Sequence, residues 1–161
     1  WVELGLQTIH ERTARYIRRG YDLPVFETAV SELRRRGIDV IVHTILCLPG
    51  ETKPDMLQTI QYLNRQDIQG IKLQLLHILK DTDLAEIYAS DPFPVPDPQE
   101  YYELLGACIS HLRPDIVIHR LTGDGPKELL IAPLWTCNKR QVLNQLQSYF
   151  KTHDIWQGKE Y

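Results

Sequence analysis

The sequence predicts an α/β protein built on a parallel sheet, and three observations predict it. Nearly continuous apolar runs such as "IDVIVHTIL" have the pattern of strands covered on both faces. Amphipathic helical segments alternate with those runs. About 33 residues separate one strand from the next, the rhythm of right-handed βαβ units. A closed eight-unit barrel needs roughly 250 residues, so these 161 supply three or four such units and no more.

Each element has its own signal. Residues 1–7 (WVELGLQ) are strand-like, and the polar, Arg-rich stretch 10–19 suits a short helix. "YDLPVFETAVSELRRRG" predicts a longer helix. Asp22 is placed to cap it, Pro24 lies in the first turn, and Phe26, Ala29, Val30 and Leu33 share one face. Gly37 suits a left-handed stop, and Arg34 to Arg36 complement the helix C-terminal dipole. After the apolar strand, Thr52 and Asp55 form a capping box opening a helix with Met56, Ile60 and Leu63 inward. "GIKLQLLHIL" predicts one further strand. "SDPFPVPDP" then breaks the rhythm, because four prolines in nine residues cannot continue a helix or a central strand. Beyond it, Asp97 and Glu100 cap a helix running through Leu112. "DIVIHRL" and "ELLIA" suit strands around a "TGDGP" loop, and residues 138–153 make a last amphipathic helix on Val142, Leu146 and Tyr149.

Composition excludes several classes. A net charge of −3 with 43% hydrophobic residues is that of an ordinary globular chain, and it gives no support to nucleic-acid binding. Cys47, Cys108 and Cys137 are odd in number and far apart, so they indicate neither a disulfide framework nor a local zinc site. No apolar run approaches the ~20 residues that span a bilayer, and no signal peptide is visible. A cytoplasmic protein with no membrane partner is expected. The chain opens on Trp1 and its single methionine is Met56, which suggests a piece of something longer.

In parallel α/β folds, ligands sit outside the carboxyl ends of the strands. "HTILCLPGET" lies at such an end. Pro49 fixes the chain's exit, Gly50 lets backbone approach a ligand, and the following helix offers unpaired N–H groups. The competing reading is a tight turn whose Thr52 and Asp55 only cap a helix. Gln7, His43 and His77 are expected near one rim, on three successive strands.

The order "VELGLQT", "RRGYD", "HTILCLPGET", "LQLLHILKDTDLAEIY" and "HRLTGDGPKELLIAPLW" resembles the second half of a radical S-adenosylmethionine (SAM) domain. It is most similar to the YhcC-like group, related to the Elongator catalytic subunit and the oxygen-independent coproporphyrinogen oxidases. The resemblance implies the C-terminal half of a partial (β/α)6 barrel over residues 1–95, with a small α+β extension over 96–161. It implies SAM and a [4Fe–4S] cluster in the whole protein, reductive cleavage of SAM to a 5′-deoxyadenosyl radical, and an electron donor for the cluster. Gln7 matches a strand residue that hydrogen-bonds SAM, and Arg19 matches an arginine that reaches the SAM carboxylate. A guanidinium fork suits that partner. His43 falls where relatives place a polar ribose ligand. Residues from Ile45 through Leu48 to Pro49 would face adenine, with Leu76 and His77 closing its other side. Cys47 stands where relatives usually carry glycine.

The cluster ligands of this superfamily form a CxxxCxxC loop, which this sequence lacks. An Fe–S cluster needs closely spaced thiolates, so the chain alone is expected to hold no cluster and to be inactive. In "HRLTGDGP", His119, Arg120, Thr122 and Asp124 are candidate substrate contacts and Lys127 a phosphate contact; the competing reading is a self-satisfied turn. Trp135 stacks on a base or belongs to the core. The resemblance suggests tRNA, or else a small molecule, as substrate. Two alternatives stand beside the enzyme: a non-catalytic SAM-fold binding or partner module, and an unrelated α/β-barrel fragment binding a phosphorylated metabolite at the "LPGET" helix end. A cut barrel also leaves an open strand edge, through which the chain is expected to self-associate, or which it covers with its own C-terminal segment after Ile116.

Overall fold

The computed structural model describes residues 1–123 and 125–161. Four strands, β1 (Val2–Gln7), β2 (Val40–Leu46), β3 (Gly70–Leu75) and β5 (Val117–Arg120), form one parallel sheet in the order β1-β2-β3-β5. The α/β class with a parallel sheet is therefore the observed one. β5, from the expected extension, is the fourth strand of that same sheet. It joins beside β3, so among the described residues no strand pairs with the outer edge of β1.

Helices α1 (Glu11–Tyr16), α2 (Leu23–Arg35), α3 (Lys53–Leu63), α5 (Pro98–His111) and α6 (Lys139–Thr152) follow the strands. Alternation along β2 and β3 sends Val42, Leu46, Ile71, Leu73 and Leu75 into one core with Phe26, Val30, Ile60, Leu63, Tyr101 and Leu105. The other sheet face keeps polar side chains.

The helix starts follow local chemistry. Thr52 and Asp55 make the reciprocal capping box at α3, and Asp97 and Glu100 make it at α5. Asp22 occupies the cap position of α2 but its side chain accepts no cap bond. Glu11 does so instead, its carboxylate accepting from Leu23 N at 2.9 Å.

Two elements depart from the expected order. The run 70–79 is not one strand. β3 ends at Leu75, and β4 (Ile78–Leu79) turns away to pair antiparallel with β6 (Leu130–Ala132). The sequence "TDLAEIYAS" forms α4 (Asp83–Ser90), capped by Thr82. Trp135 belongs to the core edge. Its indole donates to the Pro96 carbonyl at 3.0 Å, and its ring packs against Tyr101 and Tyr102.

The approach to β5 is fixed by Arg113. Its guanidinium donates to the carbonyls of Asn64, Gln66 and Ile68 and to Asp115. Asn64 in return donates to the His111 carbonyl and accepts from Arg113 N. Bonds from a charged donor contribute more than neutral ones. Arg113→Gln should therefore lower unfolding free energy by about 2–3 kcal/mol. Arg36→Gln, which breaks only an exposed pair with Glu32, should change it by less than about 0.5 kcal/mol. Urea unfolding of the two variants checks both values; equal effects would refute the assigned role of Arg113.

Candidate functional site

A cavity of about 430 Å³ lies at the carboxyl ends of β1, β2 and β3. Gln7, Ile45, Leu48 and Leu76 come to it from the strand ends, and Arg19 and Tyr21 from the segment after α1. α4 closes one side with Leu84 and Ile87. The lining is mostly apolar with few polar groups, and its size falls within the ~300–1,000 Å³ typical of small-molecule sites.

Local backbone explains these positions. β1 ends because Gln7 takes a left-handed φ of 59°, and its side chain folds back over Gly5. A Cβ on Gly5 would meet that amide at 2.4 Å, so glycine leaves room for the Gln7 side chain to fold back. With its nitrogen facing the carbonyls, the Gln7 amide donates to Leu6 O at 3.1 Å and Gly5 O at 3.3 Å. Cys47 takes φ 64°, the conformation the usual glycine would adopt, and this turn brings Leu48 to the cavity.

Five of the eight expected cofactor residues line the cavity: Gln7, Arg19, Ile45, Leu48 and Leu76. Pro49 lines a separate groove of about 550 Å³ between the corner and the proline-rich segment. His77 lies under the loop after β5, where Nδ1 accepts from Gly125 N at 3.3 Å. A Cβ on Gly123 would come within 2.5 Å of the His77 ring, which accounts for glycine there. Of the expected substrate contacts, Thr122 is buried and His119 packs its ring toward Gly70 and Trp1. Asp124 lies outside the described residues. Lys127 is exposed.

Arg19 has a different first duty from the expected one. Its side chain is 1% exposed. Nε donates to Tyr21 O, one terminal nitrogen to Leu6 O and Thr8 O, and the other to Glu11 at 2.8 Å. Four of five N–H donors thus tie the end of β1 to the start of α2. Among the described residues the fifth N–H has no hydrogen-bond partner. The physical reason is the left-handed end of β1, which leaves carbonyls that need a buried donor.

His43 is also displaced from its expected place. It sits in mid-strand opposite Gly5, on the sheet face away from the core. Gln74 Nε2 and His43 Nδ1 are 3.1 Å apart, and His43 Nε2 lies 2.8 Å from a Glu3 oxygen. Lys72 Nζ donates to the other Glu3 oxygen at 2.6 Å, and Arg120 donates to Gln74 Oε1 at 3.2 Å. Arginine only donates, so Gln74 must present its oxygen to Arg120 and its NH2 to His43. His43 Nδ1 must then accept, and Nε2–H donates to Glu3. One directed chain crosses all four strands. Lys72's hydrogen bond, then His43's, holds the Glu3 carboxyl down at about 2.

Alternation in "KLQLLH" puts Lys72, Gln74 and Leu76 on one face, but nothing in the sequence pairs that face with Glu3. Leu84 and Ile87 were missed with α4; their three-residue spacing after Thr82 was the available signal. Burial pushes the Cys47 and Cys108 thiols up to about 12. Both stay protonated at neutral pH. Among the described residues, no group of three or more His, Cys, Asp or Glu could hold a metal ion, and no helix is long and apolar enough to cross a membrane.

Comparison with known proteins follows the same outline. The model of the Radical_SAM C-terminal domain matches residues 68–152, and that of the Radical SAM superfamily matches residues 1–63. YtqA of Bacillus subtilis is 40% identical over 99% of this chain and 49% of its own length. YhcC of Escherichia coli K12 is 33% identical over 96% of this chain and 50% of its own. The chain thus spans about half the length of these relatives. The solved structure of Elp3 from the archaeon Methanocaldococcus infernus, with residues 1–46 deleted, superposes at a TM-score of 0.83. It covers 97% of this chain and 37% of the Elp3 chain, at 16% identity.

The Glu3 hydrogen bonds carry a pH signature. Its folded-state carboxyl titrates near about 2 against an ordinary 4.5, so its contribution is complete above 4.5 and is lost as pH falls toward 2. Glu3→Gln should flatten the stability curve in that window and leave its shape above pH 5 unchanged. Urea midpoints measured at intervals from pH 2 to 6 read this directly; parallel curves would refute it.

Proposed function

We propose a function from one premise: the chain belongs to the radical SAM superfamily, and the superfamily's C-terminal domain model takes in more than half of it. The chain supplies the adenosyl-binding half of a radical SAM enzyme. The cavity carries this reading, because it gathers Gln7, Arg19, Ile45, Leu48 and Leu76 at the strand ends.

The residues suit SAM. Ile45, Leu48 and Leu76 give an apolar surface for a purine, with burial contributing about 25 cal/mol per Å² of apolar area. Gln7 places an amide at the rim. Arg19 keeps one N–H directed by its other four bonds, a preorganised donor for a carboxylate. Leu84 and Ile87 on α4 exclude water from the far side. When bound beside a reduced [4Fe–4S] cluster, SAM supplies one-electron cleavage of a carbon–sulfur bond. The cysteines present do not fit the cluster, so its ligands belong to another part of the enzyme and no step here runs through it.

Binding to this half is measurable without the cluster. S-adenosylhomocysteine titrated into the chain should bind weakly and shift the methyl resonances of Ile45, Leu48 and Leu76 in NMR spectra. Ile45→Ala should weaken binding by roughly tenfold, as expected for about two buried methylenes. Shifts confined to the groove at Pro49, or affinity indifferent to Ile45→Ala, would refute the assignment.

A further inference from the structure

The open sheet face holds a positive charge that has no carboxylate partner among the described residues. Five lysine or arginine side chains are partly buried: Arg19, Arg34, Lys72, Arg113 and Arg120. Four of them hold a carboxylate. Arg19 pairs with Glu11 at 2.8 Å, Arg34 with Asp39 at 2.8 Å, Lys72 with Glu3 at 2.6 Å and Arg113 with Asp115 at 2.6 Å. Arg120 holds only the neutral Gln74 amide oxygen, at 3.2 Å. Among the described residues no carboxylate lies within ion-pair distance of it.

A partly desolvated cation without a counter-ion is costly, and the fold aims this one. Arg120 follows a register shift between β3 and β5 that sets it opposite Lys72. Glu3 already answers Lys72 and His43, so it leaves no charge for Arg120. One N–H of the guanidinium is engaged with Gln74 and four remain. A planar fork with free parallel donors matches the two oxygens of a carboxylate or a phosphate.

We propose that Arg120 is an oxyanion-binding residue on the open face of the sheet, and that the substrate of the reaction carries a carboxylate or phosphate there. The anion site stands on the geometry alone; only its assignment to the substrate rests on the radical SAM reading.

The hydrogen-bond chain gives the site a distinctive readout. An anion that draws Arg120 off Gln74 frees the Gln74 oxygen. The amide then loses the constraint that keeps its NH2 on His43 Nδ1, two side chains away. The His43 ring nitrogens should respond to an anion they do not touch.

The test is an NMR titration of the chain, with the Arg Nε–H and His ring nitrogens observed, using sodium acetate and inorganic phosphate in separate arms. Ionic strength is held constant with chloride. The expected result is a saturable shift of Arg120 Nε and of His43 in at least one arm. The arm that saturates at lower concentration identifies carboxylate or phosphate. Arg120→Gln should weaken binding at least about tenfold, Arg120→Lys should keep the charge but weaken it several-fold through loss of the fork, and Arg65→Gln, at an exposed position outside the Arg120 cavity, should leave it unchanged. Thermal midpoints of the variants are compared with the parent, since Arg120 makes a single protein bond and its loss should leave the fold intact. No saturable shift at Arg120, or binding retained in Arg120→Gln, would overturn the proposal. S-adenosylhomocysteine binding is scored separately, so failure of either reading is visible without the other.

Discussion

The arrangement rests on the register between β2 and β3. It runs unbroken from Ile41 opposite Gly70 to Leu46 opposite Leu75. A slip of one residue would turn every side chain to the opposite face. Val42 and Leu73 would leave the core, and His43 and Gln74 would enter it. The register is locked at its lower end by Gln69, whose side-chain oxygen accepts from Val40 N while its own N–H donates to Val40 O. It is locked in the middle by Thr44, whose hydroxyl donates to the Lys72 carbonyl. With that register fixed, one face is apolar apart from the buried Thr44, and the other carries a chain of directed hydrogen bonds.

Most of the framework was legible in the sequence because its signals are local. The alternation of strands and helices, the capping boxes at Thr52 and Asp97, and the stop at Gly37 depend on neighbours a few residues apart. The division of 70–79 into β3 and β4 was not legible. β4 exists only because β6, some 50 residues later, offers it a partner, and a continuous apolar run carries no mark of where pairing changes sides. α4 was hidden for another reason: it buries no residue fully, so its apolar pattern is short and weak.

The site divides in the same way. Ile45, Leu48 and Leu76 were legible because their order along the strand ends follows from chain direction. The duties of Arg19 and His43 were not, because each depends on partners far away in sequence. Arg19 answers carbonyls exposed by the left-handed turn at Gln7. His43 answers Glu3, forty residues earlier, and Gln74, thirty-one residues later. A polar residue near a strand end says that something polar is nearby. It does not say whether that partner is a ligand or the protein itself.

The two halves of the open face are then related by strand geometry. Ile45 lies two residues beyond His43, and Leu76 two residues beyond Gln74, with the same side-chain facing. At about 3.3 Å per residue, the apolar floor of the cavity sits roughly 7 Å above the hydrogen-bond chain. An adenosyl group in the cavity and an oxyanion on Arg120 would therefore be neighbours on one face, with no helix between them. The chain below contributes direction as well as polarity: with His43 held as its Nε2–H form between Gln74 and Glu3, Gln74 is fixed in turn and cannot offer its NH2 to Arg120's partner. A carboxylate or phosphate at that point meets the free donors of Arg120, beside the Gln74 oxygen. Selectivity for charge on this face thus rests on the Arg120 guanidinium, while arginine's inability to accept a hydrogen bond sets the orientation of the Gln74 amide beside it.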